Sequence, residues 1–155
     1  MLEIIQAETE SQIQASRELF RDYEKRLGLD LCFQGFEQEL RNLPDKYARP
    51  RGRLLLAYSG GEPAGCIAMR NLGDGICEMK RLFVRDDFRG KRVGRLLIET
   101  ILNEAAEEGY KKMRLDTFPP KMGKAVELYR SYGFYEIPSY YENPYEGVLF
   151  MEKKL

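Results

Sequence analysis

The segment ICEMKRLFVRDDFRGKRVGRLLIETILNEAAEEGYKKMRLDT, residues 76–117, changes its hydrophobic period twice, and those changes decide the fold. Residues 76–84 read as a long strand, placed centrally by its apolar end. From residue 93 the period becomes helical. Val93, Leu96, Leu97, Ile101, Leu102 and Ala105 share one stripe, with Arg95, Glu99, Asn103 and Glu107 opposite. Gly109 stops the helix, and residues 111–117 return to strand period with Met113 and Leu115 on one face. Strand, helix and strand of these lengths form a right-handed parallel crossover, which leaves the 85–94 loop at the carboxyl end of a central strand. Ligands of open α/β sheets bind there.

Working outward, the same alternation extends the sheet on both sides. RLLLAY (53–58) and PAGCIAMR (63–70) flank Gly60-Gly61, the signature of a hairpin, and the NLGDG turn (71–75) leads into the central strand. Residues 2–7 form a first strand. Ser11 is the expected cap of a helix carrying Ile13, Leu19, Phe20, Tyr23 and Leu27 and ended by Gly28; a second helix is expected over 34–43. Beyond the crossover come a helix over 121–132 closed by Gly133, then strands over 134–137 and 147–155. The order predicts an α/β fold, a mixed sheet of about seven strands flanked by about four helices, in one domain spanning 1–155.

Composition narrows the chemistry. The 155 residues carry 25 Lys+Arg against 25 Asp+Glu, so no global basic excess suggests a nucleic-acid partner. Histidine is absent, which removes Ser-His-Asp and Cys-His catalysis and His-ligated zinc. Proton transfer must use carboxylate, tyrosine, cysteine, lysine or water. The three cysteines, 32, 66 and 77, have no metal-ligand spacing and sit among apolar neighbours, so no metal is expected and all three read as buried thiols in a reducing, cytoplasmic setting. The first residues have no leader pattern and no segment is long enough to span a membrane, so a soluble, unprocessed chain without membrane association is expected.

The loop itself is strongly basic: Lys80, Arg81, Arg85, Arg89, Lys91, Arg92 and Arg95 stand against Asp86 and Asp87. A solvated charged turn is one reading of it. Gly90 and Gly94, followed at once by a helix start, point instead to an anion held by backbone N–H groups. The three-glycine dinucleotide pattern and the Gly-Lys-Ser/Thr ending of a Walker loop are both missing.

Arg89-Gly90-Lys91-Arg92-Val93-Gly94 resembles the pyrophosphate loop of the GNAT superfamily of acyl-CoA-dependent N-acyltransferases, Arg/Gln-x-x-Gly-x-Gly/Ala. It matches at the first and last positions, with Arg92 where the middle glycine stands. AVELYRSYGF (125–134) is similar to the family helix ending in Leu-Tyr-x-x-x-Gly-Phe, and the element order agrees over the whole chain. The resemblance implies acetyl-CoA as cosubstrate, an amine acceptor, and no nucleic-acid partner. It leaves a homodimer open.

The same resemblance implies site residues. Arg89 through Arg95 (Arg89, Gly90, Lys91, Arg92, Val93, Gly94, Arg95) would hold the pyrophosphate, and the main chain of Leu82, Phe83 and Val84 would pair with the pantetheine arm, the Leu82 N–H polarising the thioester. Glu78 would be the general base, on the strand face of Leu82 and Val84 unless a bulge intervenes, and Tyr129 the acid that protonates the thiolate. Met122 replaces a common family asparagine, and Lys121 and Lys124 would approach a 3′-phosphate. Tyr140 and Tyr141 border the expected acceptor entrance and suit a cationic amine; Phe33, Phe36 and Tyr47 are further candidates for that wall. Two other functions stay open: an acyl-CoA-binding module with weak or no catalysis, and nucleic-acid binding through the loop.

Overall fold

A computed structural model describes residues 2–155; the side chains of Phe33, Lys121 and Met122 lie outside the described residues. Seven strands form one sheet: β1 (Leu2–Gln6), β2 (Arg53–Ser59), β3 (Glu62–Gly73), β4 (Ile76–Val84), β5 (Lys112–Thr117), β6 (Tyr135–Ile137) and β7 (Leu149–Lys154), in the order β1-β2-β3-β4-β5-β7-β6. Among the described residues only the β4–β5 pairing is parallel, and α3 (Val93–Glu107) makes that crossover. Helices α1 (Glu10–Leu27), α2 (Phe36–Asn42) and α4 (Pro119–Ser131) complete the α/β fold.

Strand alternation divides the core into two layers. Leu55, Ala57, Ile67 and Met69 meet Leu97, Ile98 and Ile101 of α3 on one face. On the other, Leu54, Leu56, Cys66 and Ala68 meet Leu19 and Phe20 of α1 and Phe36 and Leu40 of α2. Burial of a leucine or phenylalanine side chain contributes about 1.5–3 kcal/mol, so these two sandwiches dominate stability.

Several local expectations are corrected. The α1 cap is Thr9 rather than Ser11, because Gln12 closes a reciprocal capping box with Thr9. The second helix is a 3₁₀ turn (Cys32–Gln34) and the shorter α2, separated by Gly35 at φ 69°. α4 begins at Pro119, whose fixed φ suits a first turn. Cys66 and Cys77 are buried, but Cys32 is exposed. Phe36 and Tyr47 are 1% and 0% exposed, so they are core of the α1 layer and not a cleft wall; Phe33, the third of that group, falls outside the described residues.

One irregularity shapes the site. Cys66 pairs with Phe83 and Ala68 with Lys80, so Arg81 and Leu82 together oppose Ile67, a β-bulge in β4. Arg81 takes φ 62° there. The extra residue reverses the alternation: Glu78 and Lys80 share the α1 face with Arg81 and Phe83, while Leu82 and Val84 pack with the α3 layer. The expectation that Glu78 shares a face with Leu82 and Val84 is therefore corrected by the bulge.

Candidate active site

β4 and β5 are hydrogen-bonded only from Ile76↔Lys112 to Glu78↔Arg114. Past Glu78 they separate, leaving one edge of β4 without a ladder as far as Val84. A cleft of about 720 Å³ opens along that edge, walled by Leu82, Phe83, Val84, the turn after β4, the start of α3 and, from α4, Gly123, Lys124 and Leu128.

The turn is built to receive an anion. Gly90, at φ 79°, has nothing within 4 Å of where a Cβ would sit, so its backbone is open to a ligand. Arg92 is the N-cap of α3, at φ 64°, and supplies no side-chain cap. The first intrahelical bond from this end is Leu96 N–H to the Arg92 carbonyl, 3.0 Å, which leaves the amides of the first turn available. Those amides and the helix dipole suit a phosphate. Arg89, Gly90, Arg92, Val93, Gly94 and Arg95 all border the cleft. Lys91 lies outside that lining, its Nζ 5.5 Å from the Phe88 ring centroid. Lys124 is at the cleft; Lys121 and Met122 have no described side chain.

Where β4 and β5 part, a small cavity of about 20 Å³ passes between the two faces of the sheet. Leu82, Leu115 and Tyr129 border it from the α3 side, Tyr23, Lys80, Arg81 and Asp116 from the α1 side. Tyr129 is 4% exposed, held edge-on by the Phe134 ring at 5.8 Å. Burial pushes its phenol well above the usual value, so it stays protonated and can donate. Burial also lowers the Lys80 ammonium to about 8, with Arg81 adding to the effect.

Glu78 sits just below this opening, at the last paired register, and is 1% exposed. Both of its oxygens are engaged: Arg70 Nε donates to Oε1 at 2.7 Å and the Tyr140 hydroxyl to Oε2 at 2.6 Å. Burial alone would raise its carboxyl, but Lys80, Arg70 and the Tyr140 hydrogen bond hold it below the usual range. Tyr140 and Tyr141 stack edge-on at 5.5 Å and both lean on Phe150 at 5.2 Å. The structure thus brings Tyr140 to Glu78, and neither borders the small cavity. From the same loop Asn143 and Tyr145 do reach a second cavity of about 30 Å³, along with Asp116 and Thr117.

Sequence reasoning missed two groups. Arg81 was one member of a basic cluster; it is 3% exposed and bound by Nε and Nη2 to the two Glu39 oxygens at 3.0 and 3.1 Å. Asp116 had no motif, and only its place at the end of the strand opposite β4 marked it.

A parted parallel pair, an anion-holding turn into a helix and a buried tyrosine at the opening define the class of acyl-CoA N-acyltransferases. The model of the Acetyltransferase (GNAT) family matches residues 10–134, and the chain belongs to that family. An uncharacterised N-acetyltransferase of Schizosaccharomyces pombe is 40% identical over 139 residues, 88% of this chain and 85% of that protein. A GNAT-family acetyltransferase of Staphylococcus aureus superposes with a TM-score of 0.82 at 21% identity, covering 99% of each chain. The PaiA N-acetyltransferase of Thermoplasma acidophilum, solved with coenzyme A, superposes with a TM-score of 0.73 at 18% identity over 100% of this chain and 99% of that one. The protein is an acetyltransferase of this family, which uses acetyl-CoA as cosubstrate.

Proposed function

We propose that the protein moves an acetyl group from acetyl-CoA to a primary amine by direct attack on the thioester. The observation that carries this reading is the opening between β4 and β5, where Leu82 and Tyr129 face a carboxylate-bearing wall across about 20 Å³. The amides of Gly90 to Arg95 would hold the pyrophosphate, and the free edge at Leu82, Phe83 and Val84 would pair with the pantetheine arm. The Leu82 N–H would support the oxyanion.

The amine attacks as the neutral base. Glu78 is the proposed base, and because neither it nor the Tyr140 hydroxyl that fills its Oε2 lines the opening, the proton reaches it through intervening water. As the C–S bond breaks, Tyr129 donates its proton to the thiolate, and the proton then leaving the attacking nitrogen restores the phenol. Tyr141 supports Tyr140 at the acceptor entrance.

The test is thiol release from acetyl-CoA with a panel of primary amines, alongside thermal unfolding. Acetyl-CoA at a hundredfold its Kd should stabilise the protein by about 2.7 kcal/mol, a Tm rise of roughly 5–10 °C for a chain of this size. Y129F should lower turnover more than acetyl-CoA affinity. Binding without thiol release from any amine would identify a binding module instead, and full activity in Y129F would remove its acid role.

A further inference from the structure

Asp116 presents a carboxylate oxygen without a hydrogen-bond partner beside the β4–β5 opening. It projects from β5 on the face of Arg114, away from the Met113 and Leu115 layer. Its Oδ2 is buried and accepts no hydrogen bond. No ion pair to it exists among the described residues. The neighbouring cations are committed elsewhere: Arg81 to Glu39, and Lys80 to Gln34 at 3.2 Å and Glu78 at 3.9 Å. Asp116 is half-buried as a residue, but this oxygen has lost its water without gaining a donor, and a polar atom in that state costs about 1–3 kcal/mol.

Its position says what it awaits. Asp116 borders both small cavities, the one it shares with Leu82 and Tyr129 and the one that opens toward the loop before β7. The second cavity mixes apolar side chains, Leu27, Leu31 and Phe118, with polar ones, Gln34, Arg81 and Asn143, and its 30 Å³ has room for a group of only one or two heavy atoms. Glu78, by contrast, has both oxygens filled and borders neither cavity.

We propose that Asp116 holds the ammonium group of the acceptor at the β4–β5 opening. The acceptor class is then a primary amine that enters the opening with its ammonium end first. The inference deepens the acetyl-transfer reading and rests on it for the identity of the incoming group. Burial raises the Asp116 carboxyl above its usual range, with the Glu78 charge adding to the rise and Lys80 opposing it; an ammonium at this point supplies the missing counter-charge.

The experiment is calorimetric titration of 2-phenylethylamine, and of uncharged 2-phenylethanol, into the protein saturated with coenzyme A, for wild type and D116N. Amine affinity should fall at least tenfold in D116N, with 2-phenylethanol and coenzyme A binding unchanged and a Tm equal to or above that of wild type. Equal amine affinity in the two proteins, no amine affinity in wild type, or a lower Tm in D116N would each overturn the assignment. Thiol release is followed separately: a wild type that binds the amine but liberates no thiol refutes acetyl transfer, while a D116N-sensitive amine affinity still supports Asp116.

Discussion

Arg92 occupies the position where the family loop has a glycine, and its backbone explains both the family preference and the exception. At φ 64° it sits in the left-handed region, which costs a non-glycine residue roughly 1–2 kcal/mol. Glycine adopts that conformation freely but loses roughly 0.5–1 kcal/mol more chain entropy on folding. R92G should therefore stabilise the protein by about 0.5–1 kcal/mol, a Tm gain of roughly 1–4 °C. If the pyrophosphate is held chiefly by the amides of the first α3 turn, the same variant should lose less than tenfold in acetyl-CoA affinity. Thermal unfolding and an acetyl-CoA titration read the two effects. A larger loss of affinity would make the Arg92 guanidinium a main ligand and demote the amides.

At the scale of elements, α2 and the β4 bulge are one device. Arg81 has a left-handed backbone and a buried guanidinium, a combination that persists only because Glu39 of α2 meets it with both oxygens while Lys46 approaches Glu39 at 3.3 Å. The Tyr23 and Phe36 rings flank the guanidinium at 5.7 and 5.2 Å. E39A should cost about 3–5 kcal/mol by stranding a buried charge, and replacing both partners, R81M with E39M, should cost less than E39A alone. Urea unfolding of wild type, E39A and the double variant measures this; a double variant that loses as much as E39A or more would deny the coupling. The device also marks where sequence reading stopped. Period 2 and period 3.6 are local properties, so β4, α3 and β5 were legible from residues 76–117. A bulge adds one residue without changing local composition, and it shows only against the partner strand, here as Ile67 facing both Arg81 and Leu82. Glu39 and Arg81 are 42 positions apart, with nothing in either segment to announce the pair. The unpartnered carboxylate oxygen of Asp116 is likewise a tertiary property. The Thr9 cap, for which Ser11 is the wrong expectation, did have a local signal, since Gln12 stands three residues on, as a capping box requires.

For the whole molecule, the absence of histidine sets the pH response. No histidine titrates between pH 5 and 8, so stability should be flat from roughly pH 6 to 8. On the acid side, Glu39 and Glu78 lie below their usual range because cations outweigh the burial that would raise them. Depressed carboxyls contribute stability that is present above the unfolded value, about 4.3 for glutamate, and lost as pH falls through the folded one. Asp116 has the opposite sign: its raised carboxyl contributes stability at low pH that is lost as pH rises through its folded value. The gap between D116N and wild type should thus be smallest near pH 3 and widen upward. On the alkaline side, burial raises the Cys66 and Cys77 thiols, whose contribution is present below the unfolded value near 8.5 and lost above it. Lys80, lowered to about 8, works against that loss, because the unfolded lysine keeps its proton to near 10.4 and stability from this group rises over the interval. Urea unfolding across pH 3–10 should therefore give a plateau with two falling limbs, the alkaline one steeper in K80M. A slope across the plateau, or an alkaline limb that K80M leaves unchanged, would mean that the buried charges at the β4–β5 opening do not govern the response.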